Sequence, residues 1–338
     1  MKREATLYDK LDGKAVRCKL CNHRCQITDG NFGFCGVRKN EGGILYTYAY
    51  GTIVASHVDP VEKKPLYHFL PGSTSLSIAT MGCNFRCGFC QNWEISQSNV
   101  RDNSSAGAGA DVSPQTLVDT ALKNGCKSVS YTYTEPTVFF EYAMDIANIA
   151  KAKGLRNIFV TNGYMTPEAV ELMASRIDAA NVDLKFFTES AYRKICGAHL
   201  EPVLNSIRLM RRKNIWVEVT TLVIPGENDA ATQLSGIAQF IADVDKNIPW
   251  HISRFHPDYK FSAYPVTPES TLKEAQETGI RYGLKYIYIG NVQGWGNDTM
   301  CPSCNKLLIK REIFDILDYN IIDGACPYCH TPVPGIFK

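Results

Sequence analysis

The most constraining feature of the sequence is a regular alternation of short apolar runs and longer amphipathic segments, which begins at residue 76. The apolar runs are rich in β-branched residues, as is typical of buried strands joined by crossover helices in a parallel sheet. Seven strands are predicted, over residues 76–81, 128–133, 157–161, 180–185, 215–224, 250–255 and 285–289. The pattern indicates an α/β domain of six or seven βα units.

Three helix starts are marked by a hydroxyl residue followed by proline, which are favoured at the N-cap and the first helical position. These pairs are Ser113-Pro114, Thr166-Pro167 and Thr267-Pro268. Six βα units make a partial barrel of the TIM type, with catalytic residues at the carboxyl ends of the strands. A doubly wound sheet has the same periodicity, so the alternation alone leaves both open. Segment 99–110, rich in small residues, is interpreted as a tolerated insertion rather than a mobile flap.

The 338-residue chain is 45% hydrophobic and carries a formal net charge of +2. This length accommodates one catalytic domain with small extensions. We predict an N-terminal extension over 1–72, the barrel over 73–293 and a C-terminal module over 294–338. The balanced charge does not indicate nucleic-acid binding. No apolar run is typical of a signal peptide or a membrane span, so we predict a cytoplasmic protein with no membrane partner.

Cysteine usage limits the chemistry most strongly, because eleven of the thirteen cysteines fall into three clusters. The clusters are an N-terminal quartet of Cys18, Cys21, Cys25 and Cys35, a central triad of Cys83, Cys87 and Cys90, and a C-terminal quartet of Cys301, Cys304, Cys326 and Cys329. In a reducing cytosol such clusters are metal ligands or catalytic thiols rather than disulfides. The remaining Cys126 and Cys196 are interpreted as small buried hydrophobes without a functional role.

The central triad has the spacing CxxxCxxC and directly follows the first predicted strand. Three thiolates at this spacing ligate three irons of a 4Fe-4S cluster and leave the fourth iron open. The methionine end of S-adenosylmethionine (SAM) can chelate that iron, after which an electron from the cluster releases a 5′-deoxyadenosyl radical. A zinc knuckle or a plain electron-transfer cluster would normally have a fourth ligand. The triad therefore indicates a SAM-cleaving cluster.

The triad and several strand ends together resemble the radical SAM superfamily, and within it the group around pyruvate formate-lyase activating enzymes. The resemblance covers residues 76–290. The segments that carry it are Thr161-Asn162-Gly163, Val182-Asp183-Leu184-Lys185, Val223-Ile224-Pro225-Gly226 and Arg254-Phe255-His256. Each follows or ends a predicted strand. The resemblance favours a partial (βα)6 barrel of the radical SAM type over a doubly wound sheet.

By this resemblance, Glu135 occupies the position of the group's GGE motif, where the backbone meets the methionine amino group of SAM. The two glycines of that motif are replaced by Tyr133 and Thr134, so the hydroxyl of Thr134 is a further candidate contact. Val160 stands where the activating enzymes have an aspartate before their TNG segment. This departure weakens a direct transfer of their cation site and of their glycyl-radical function.

The resemblance also implies that Asp183 and Lys185 bind the methionine or ribose end of SAM. The other implied contacts are Phe89 and Leu222 with adenine, and Asn162 and His256 in the polar wall. For Glu135, Asp183 and Lys185 the alternative is a structural salt-bridge network, because buried charges are costly unless paired. For Asn162 and His256 it is ordinary hydrogen bonding at strand ends.

The C-terminal quartet consists of two CxxC knuckles separated by 21 residues, and it predicts a closed zinc site of four thiolates. Iron in a rubredoxin-like or Fe-S site is the alternative. The N-terminal quartet has spacings of two, three and nine residues, which are less diagnostic. It could hold zinc or an auxiliary Fe-S cluster, or it could exchange ligands with the C-terminal quartet.

Both terminal cysteine clusters resemble those of the AmmeMemoRadiSam family of radical SAM proteins, and this resemblance covers nearly the whole chain. It implies association with Memo-type and AMMECR-type proteins and leaves the reaction undefined. The leading function is hydrogen abstraction from an unidentified substrate, with an electron donor such as flavodoxin or ferredoxin. The alternatives are a glycyl-radical activase and a non-catalytic metal or redox adaptor for those partners.

Overall fold

A computed structural model describes residues 2–98 and 109–338 of the chain. The predicted insertion at 99–110 therefore lies almost entirely outside the described residues. The N-terminal extension forms short antiparallel sheets. Their strands are β1 (Arg3–Glu4), β2 (Tyr8–Lys10), β3 (Val16–Cys18), β4 (Gln26–Ile27), β5 (Arg38–Glu41), β6 (Ile44–Thr47) and β7 (Thr52–Ile53). They pair in the orders β2-β3-β4 and β1-β6-β5. The β5–β6 turn contains Gly42 and Gly43, both with positive φ, a conformation that glycine adopts without steric cost.

The main sheet has eight strands and supplies the framework of the barrel. They are β8 (Ala55–Pro60), β9 (Thr74–Ala79), β11 (Ser128–Tyr131), β12 (Arg156–Thr161), β13 (Ala179–Asp183), β14 (Trp216–Val223), β15 (Trp250–Arg254) and β16 (Ile287–Gly290); the intervening β10 (Ala110–Asp111) pairs with β7. The seven strands from β9 to β16 are parallel and adjacent in chain order, whereas β8 is antiparallel to β9. All seven predicted strands are present.

The strand order decides between the two architectures that the sequence left open. A doubly wound sheet reverses its strand order at a switch point, whereas each strand here lies beside its predecessor. Within the described residues, the edge strands β8 and β16 do not pair with each other, so the barrel is incomplete. The fold is therefore α/β with a partial barrel.

The helices connect successive strands. They are α1 (Trp93–Ser96), α2 (Pro114–Lys123), α3 (Phe140–Ala152), α4 (Pro167–Met173), α5 (Glu189–Ala191), α6 (Leu200–Arg212), α7 (Ala231–Asp245) and α8 (Glu269–Arg281). Ser113 and Thr166 are N-caps, as predicted. The third helix start was wrong by one residue. The hydroxyl of Thr267 instead accepts from the N–H of Phe255 and donates to the carbonyl of Val223, so Pro268 is the N-cap.

The C-terminal module is a small sheet of β17 (Thr299–Met300), β18 (Leu307–Glu312) and β19 (Asp315–Tyr319). Arg311 anchors it to the segment that precedes β9, because its buried guanidinium donates to the carbonyl of Tyr67 at 2.9 Å. The same guanidinium donates to Thr299 at 2.7 Å. The domain boundaries at 72 and 293 stay a prediction, although β8 already belongs to the main sheet.

A buried hydrogen-bonded chain continues from Arg311 into the base of the barrel. The hydroxyl of Thr299 lies 2.9 Å from that of Tyr288, which lies 2.6 Å from Nε2 of His68. Nδ1 of His68 lies 2.7 Å from the carbonyl of Pro334. Because a carbonyl only accepts, Nδ1 carries the proton and Nε2 accepts from Tyr288. The neutral imidazole of His68 therefore hydrogen-bonds both to the Pro334 carbonyl and to the Tyr288 hydroxyl.

Burial lowers the pKa of His68 to about 4, whereas an unfolded histidine titrates near 6.5. Between these values the unfolded chain binds a proton that the folded chain does not, so stability falls as pH falls. From pH 7 to pH 5 we expect His68 to account for a loss of about 2 kcal/mol in the free energy of unfolding. Urea titrations at pH 7 and pH 5 should show that the free energy of unfolding falls less in His68→Gln than in the wild type. Equal losses would contradict this assignment, and the exposed His57→Gln variant is the control.

Candidate active site and metal centres

A cavity of about 420 Å³ opens at the carboxyl ends of the parallel strands, and the central triad lines it. Cys83, Cys87 and Cys90 lie in the loop that follows β9. Among the residues that the structure describes, no fourth cysteine lines this cavity. This donor set fits a 4Fe-4S cluster that has three protein ligands and one open iron.

The triad loop is held by a side chain of the loop itself, Arg86, and by a contact with Ser96 at the end of α1. The Arg86 guanidinium donates to the carbonyls of Cys83 at 2.8 Å and Phe85 at 2.9 Å. The Cys90 sulfur lies 3.2 Å from the hydroxyl of Ser96. Burial raises the pKa of the Cys83 and Cys90 thiols. Bound iron would therefore supply the positive charge that keeps these groups as thiolates.

Seven of the eight predicted SAM contacts line the same cavity as the triad. They are Phe89, Thr134, Glu135, Asn162, Asp183, Lys185 and Leu222. His256 is exposed and does not line the cavity. The chain leaves the rim after β15, and Ser253 is the residue of that strand that lines the cavity.

The Glu135 carboxylate joins the ends of two adjacent strands. It is buried and accepts from the N–H of Asn162 at 2.8 Å, the hydroxyl of Thr161 at 2.7 Å and the N–H of Thr137 at 3.0 Å. Burial raises its pKa, and these hydrogen bonds partly offset that effect. The side chain thus fixes the rim, and residues 132–135 line the cavity beside it.

Tyr133, one of the two residues that replace the glycines of the motif, has a backbone conformation that glycine favours. Its φ is +63°, a region that glycine favours and that costs other residues energy. The Tyr133 hydroxyl donates to Asp59 on β8, and the ammonium of Lys64 lies 4.7 Å from its ring centroid. These contacts hold the strained residue in place.

Asp183 and Lys185 form an ion pair at 2.8 Å at the end of β13. Although desolvation opposes protonation, the carboxylate of Asp183 raises the pKa of Lys185, so Lys185 is a cation beside the triad. Its ammonium also lies 5.7 Å from the ring centroid of Phe89. Asn162 donates to the side chain of Asn84 at 2.7 Å, which ties the polar wall to the triad loop.

Several cavity-lining residues were not among the predicted contacts: Lys63, Lys64, Tyr133, Ser253 and Asn291. Lys64 is buried and paired with Asp59 at 2.6 Å. Lys64 reaches the cavity because β8, which precedes it, pairs antiparallel with β9. The alternation of apolar and amphipathic segments begins only at residue 76 and did not predict this strand. Cys196 also has an unexpected position, because its sulfur lies 3.6 Å from that of Cys87.

The C-terminal quartet brings its four sulfur atoms within 4.8 Å of one another. Cys301 and Cys329 are 3.6 Å apart, and Cys304 and Cys326 are 3.7 Å apart. Thiolates on one tetrahedral zinc ion, each at about 2.3 Å, are separated by about 3.8 Å. Hydrogen bonds from Thr331 lower the pKa of Cys329 to about 6. The geometry fits a single, closed metal site.

The N-terminal quartet surrounds a second, smaller cavity of its own. No C-terminal cysteine lines that cavity, and the C-terminal group is complete without an N-terminal ligand among the described residues. The two quartets are thus separate centres and do not exchange ligands in this structure.

Comparison with known proteins identifies the class. The radical SAM superfamily matches residues 77–234. The chain is 20% identical over 226 residues to the pyruvate formate-lyase 1-activating enzyme of Escherichia coli, covering 61% of this chain and 89% of that enzyme. It belongs to the radical SAM superfamily and is related to the pyruvate formate-lyase activating enzymes. Membership implies a 4Fe-4S cluster and SAM, and the three-cysteine donor set and the adjoining cavity are compatible with such a site.

A second relative matches nearly the full length. Uncharacterized protein MJ0808 of Methanocaldococcus jannaschii is 44% identical over 331 residues, which is 97% of each chain. A radical SAM methyltransferase from Sphaerobacter thermophilus has a similar fold, with a TM-score of 0.51 at 13% identity over 66% of this chain and 68% of that one. In the described residues, no helix is both long and apolar enough to cross a membrane.

We expect the C-terminal quartet to bind about one zinc ion per chain. Elemental analysis of Cys326→Ala/Cys329→Ala protein should show loss of that zinc, while the iron of the central triad and uncoupled SAM cleavage are retained. The melting temperature should fall, because the few buried apolar residues of the module form a small cluster shared with the barrel, and such a module depends on its metal. Loss of iron with zinc unchanged would instead identify an Fe-S centre. The control is Cys126→Ala, which removes a buried cysteine outside all three clusters.

Proposed function

We propose that this protein cleaves SAM reductively and uses the resulting radical to abstract hydrogen from a substrate. The observation that carries the proposal is the cavity at the rim, whose lining among the described residues combines three cysteines, without a fourth, with the polar strand ends. When bound there, the cluster and SAM supply one-electron cleavage of the sulfonium to a 5′-deoxyadenosyl radical. The residues of the chain bind, orient and enclose the reactants.

Asp183 and Lys185 are the charged groups suited to the polar end of SAM. Lys185 is held as a cation in a half-buried position beside the triad, where it can pair with the carboxylate of the methionine moiety. Asp183 is the more exposed partner, with 34% of its side chain accessible, and can accept from an amino group or a ribose hydroxyl. The pair thus offers a cation for the carboxylate and an anion for the amino group of the methionine moiety of SAM.

Glu135 acts through the backbone rather than as a ligand. Its carboxylate is occupied by donors from residues 137, 161 and 162, so it fixes the adjacent strand ends against each other. The backbone of 133–135 then presents its polar groups to the amino group of SAM. Phe89 and Leu222 supply apolar surface for the adenine ring on the same cavity wall.

A glycyl-radical activase is the second candidate, supported by the similarity to the E. coli activating enzyme. Val160 is an argument against it, because this apolar side chain lines the cavity where the activating enzymes have an aspartate.

We also propose that the protein belongs to the AmmeMemoRadiSam family and is cytoplasmic. We propose a flavodoxin or ferredoxin as its electron donor, and Memo-type and AMMECR-type proteins as its partners.

Detection of 5′-deoxyadenosine tests the proposal. Protein reconstituted anaerobically and reduced with dithionite should form 5′-deoxyadenosine from SAM, and the Cys83→Ala/Cys87→Ala/Cys90→Ala variant should form none. A folded, cluster-bearing protein that forms no 5′-deoxyadenosine would support the adaptor instead. A glycyl radical on a co-expressed partner would favour the activase. Deuterium carried from cell extract into 5′-deoxyadenosine would report the substrate.

Asp183→Ala and Lys185→Ala should each weaken SAM binding about 10- to 100-fold, the effect of losing a charge-assisted hydrogen bond. The cluster content should stay unchanged, because neither residue is an iron ligand. Asp178→Ala is the matched control: Asp178 forms a comparable ion pair with Arg156 at 3.0 Å, but at the opposite end of β13. Wild-type SAM affinity in folded Asp183 and Lys185 variants would assign both residues to a structural network.

A further inference from the structure

The N-terminal quartet differs from the C-terminal one in the separation of its sulfur atoms. Among the residues that the structure describes, only the C-terminal four form a group of sulfur ligands within 4.8 Å of one another. The N-terminal four instead line one common small cavity, together with Arg38. A single zinc ion draws its thiolates to about 3.8 Å from each other, whereas a cubane spreads them over four irons.

The second observation is a buried cation that faces this space. Arg38 lines the cavity and is only 2% exposed. One of its terminal nitrogens donates to Glu141, which also accepts from the N–H of Thr6 at 2.8 Å. The Nε and the other terminal nitrogen of Arg38 have no hydrogen-bond partner in the part of the chain that the structure describes. Unpaired buried donors are costly, and an anionic centre with sulfur acceptors would satisfy them.

The third observation is the contact between the N-terminal quartet and the triad loop. His23 lies between Cys21 and Cys25 in sequence, and its Nε2 is 2.7 Å from the carbonyl of Asn84, the residue after Cys83. Arg86, between Cys83 and Cys87, donates to the carbonyl of Phe34, the residue before Cys35. Two direct hydrogen bonds therefore connect the two sets of ligand loops.

We propose that Cys18, Cys21, Cys25 and Cys35 bind a second 4Fe-4S cluster, which Arg38 stabilises by donating to its sulfur atoms. Four thiolates occupy all four irons, so this cluster has no open position for SAM. It acts as an electron relay. A flavodoxin or ferredoxin reduces it by one electron, and the reduced cluster passes that electron to the oxidised cluster of the triad. The relay role depends on the proposed function, whereas the cluster itself does not.

The variant Cys83→Ala/Cys87→Ala/Cys90→Ala isolates the site in the full-length chain. After anaerobic reconstitution we expect about four irons and four sulfides per chain, in addition to the zinc of the C-terminal quartet. The electron paramagnetic resonance signal of the reduced protein should not change when SAM is added. A folded variant with no iron and two zinc ions would refute the proposal. Circular dichroism and retention of the C-terminal zinc establish that the variant is folded.

The complementary variant Cys21→Ala/Cys25→Ala should lose that second cluster and keep the triad cluster. Under dithionite, which reduces clusters directly, its SAM cleavage should equal that of wild type. With reduced flavodoxin or ferredoxin it should fall at least tenfold, and an unchanged rate would refute the relay. Cys126→Ala is again the control. If the wild type binds eight irons but cleaves no SAM with dithionite, the proposed function fails and the second cluster stands.

Arg38→Lys tests the positioning role. It keeps a positive charge beside Glu141 and removes the two unpaired planar donors. Hydrogen bonds to cluster sulfur favour the reduced state, so the variant should lower the midpoint potential of the N-terminal cluster and leave that of the triad cluster unchanged. An unchanged potential would remove Arg38 from the proposal.

Discussion

The sequential, parallel order of the seven strands from β9 to β16 is the constraint on which the rest of the structure depends. Because every strand runs in the same direction, the carboxyl ends of all seven reach one rim, and residues that are far apart in sequence meet there. The triad comes from the end of β9, Glu135 follows β11, and Asp183 ends β13. Each strand end contributes only a few polar groups. Their concentration in one cavity results from the topology, since no single segment carries the complete site.

This rim is stabilised by internal hydrogen bonds of its own. Glu135 joins the ends of β11 and β12, Asn162 contacts the triad loop through Asn84, and Thr134 donates to the carbonyl of Thr80 at 2.8 Å. Such connections order the polar groups before any ligand arrives, so that binding energy is not spent on arranging them. They also show why a structural and a functional interpretation of Glu135 are compatible: a carboxylate that is fully occupied by the protein can still determine where the backbone meets a ligand.

The sequence could predict the α/β class, the seven strands and the triad, because apolar periodicity and cysteine spacing are local signals. Seven of the eight residues that it predicted as SAM contacts also line the cavity, because strand-end motifs meet at one rim once the barrel is assumed. His256 shows the limit: the motif locates a residue just after a strand, but in the structure this side chain is exposed and is not part of the cavity lining. Lys64 and Tyr133 were not foreseeable either, since their positions depend on β8 joining the sheet antiparallel and on a positive φ at a tyrosine.

The N-terminal extension is part of the active-site architecture rather than an appendage. Its hydrophobic residues belong to the same core as the barrel, and its cysteine loop packs directly on the triad loop. Gly82, just before the triad, has a φ of +93°, and a Cβ at this position would lie 2.7 Å from the side chain of Val37. The two loops therefore approach so closely that the glycine is required both for its conformation and for its lack of a side chain. The packing of Gly82 against Val37 and the His23–Asn84 hydrogen bond thus hold the two cysteine loops in direct contact.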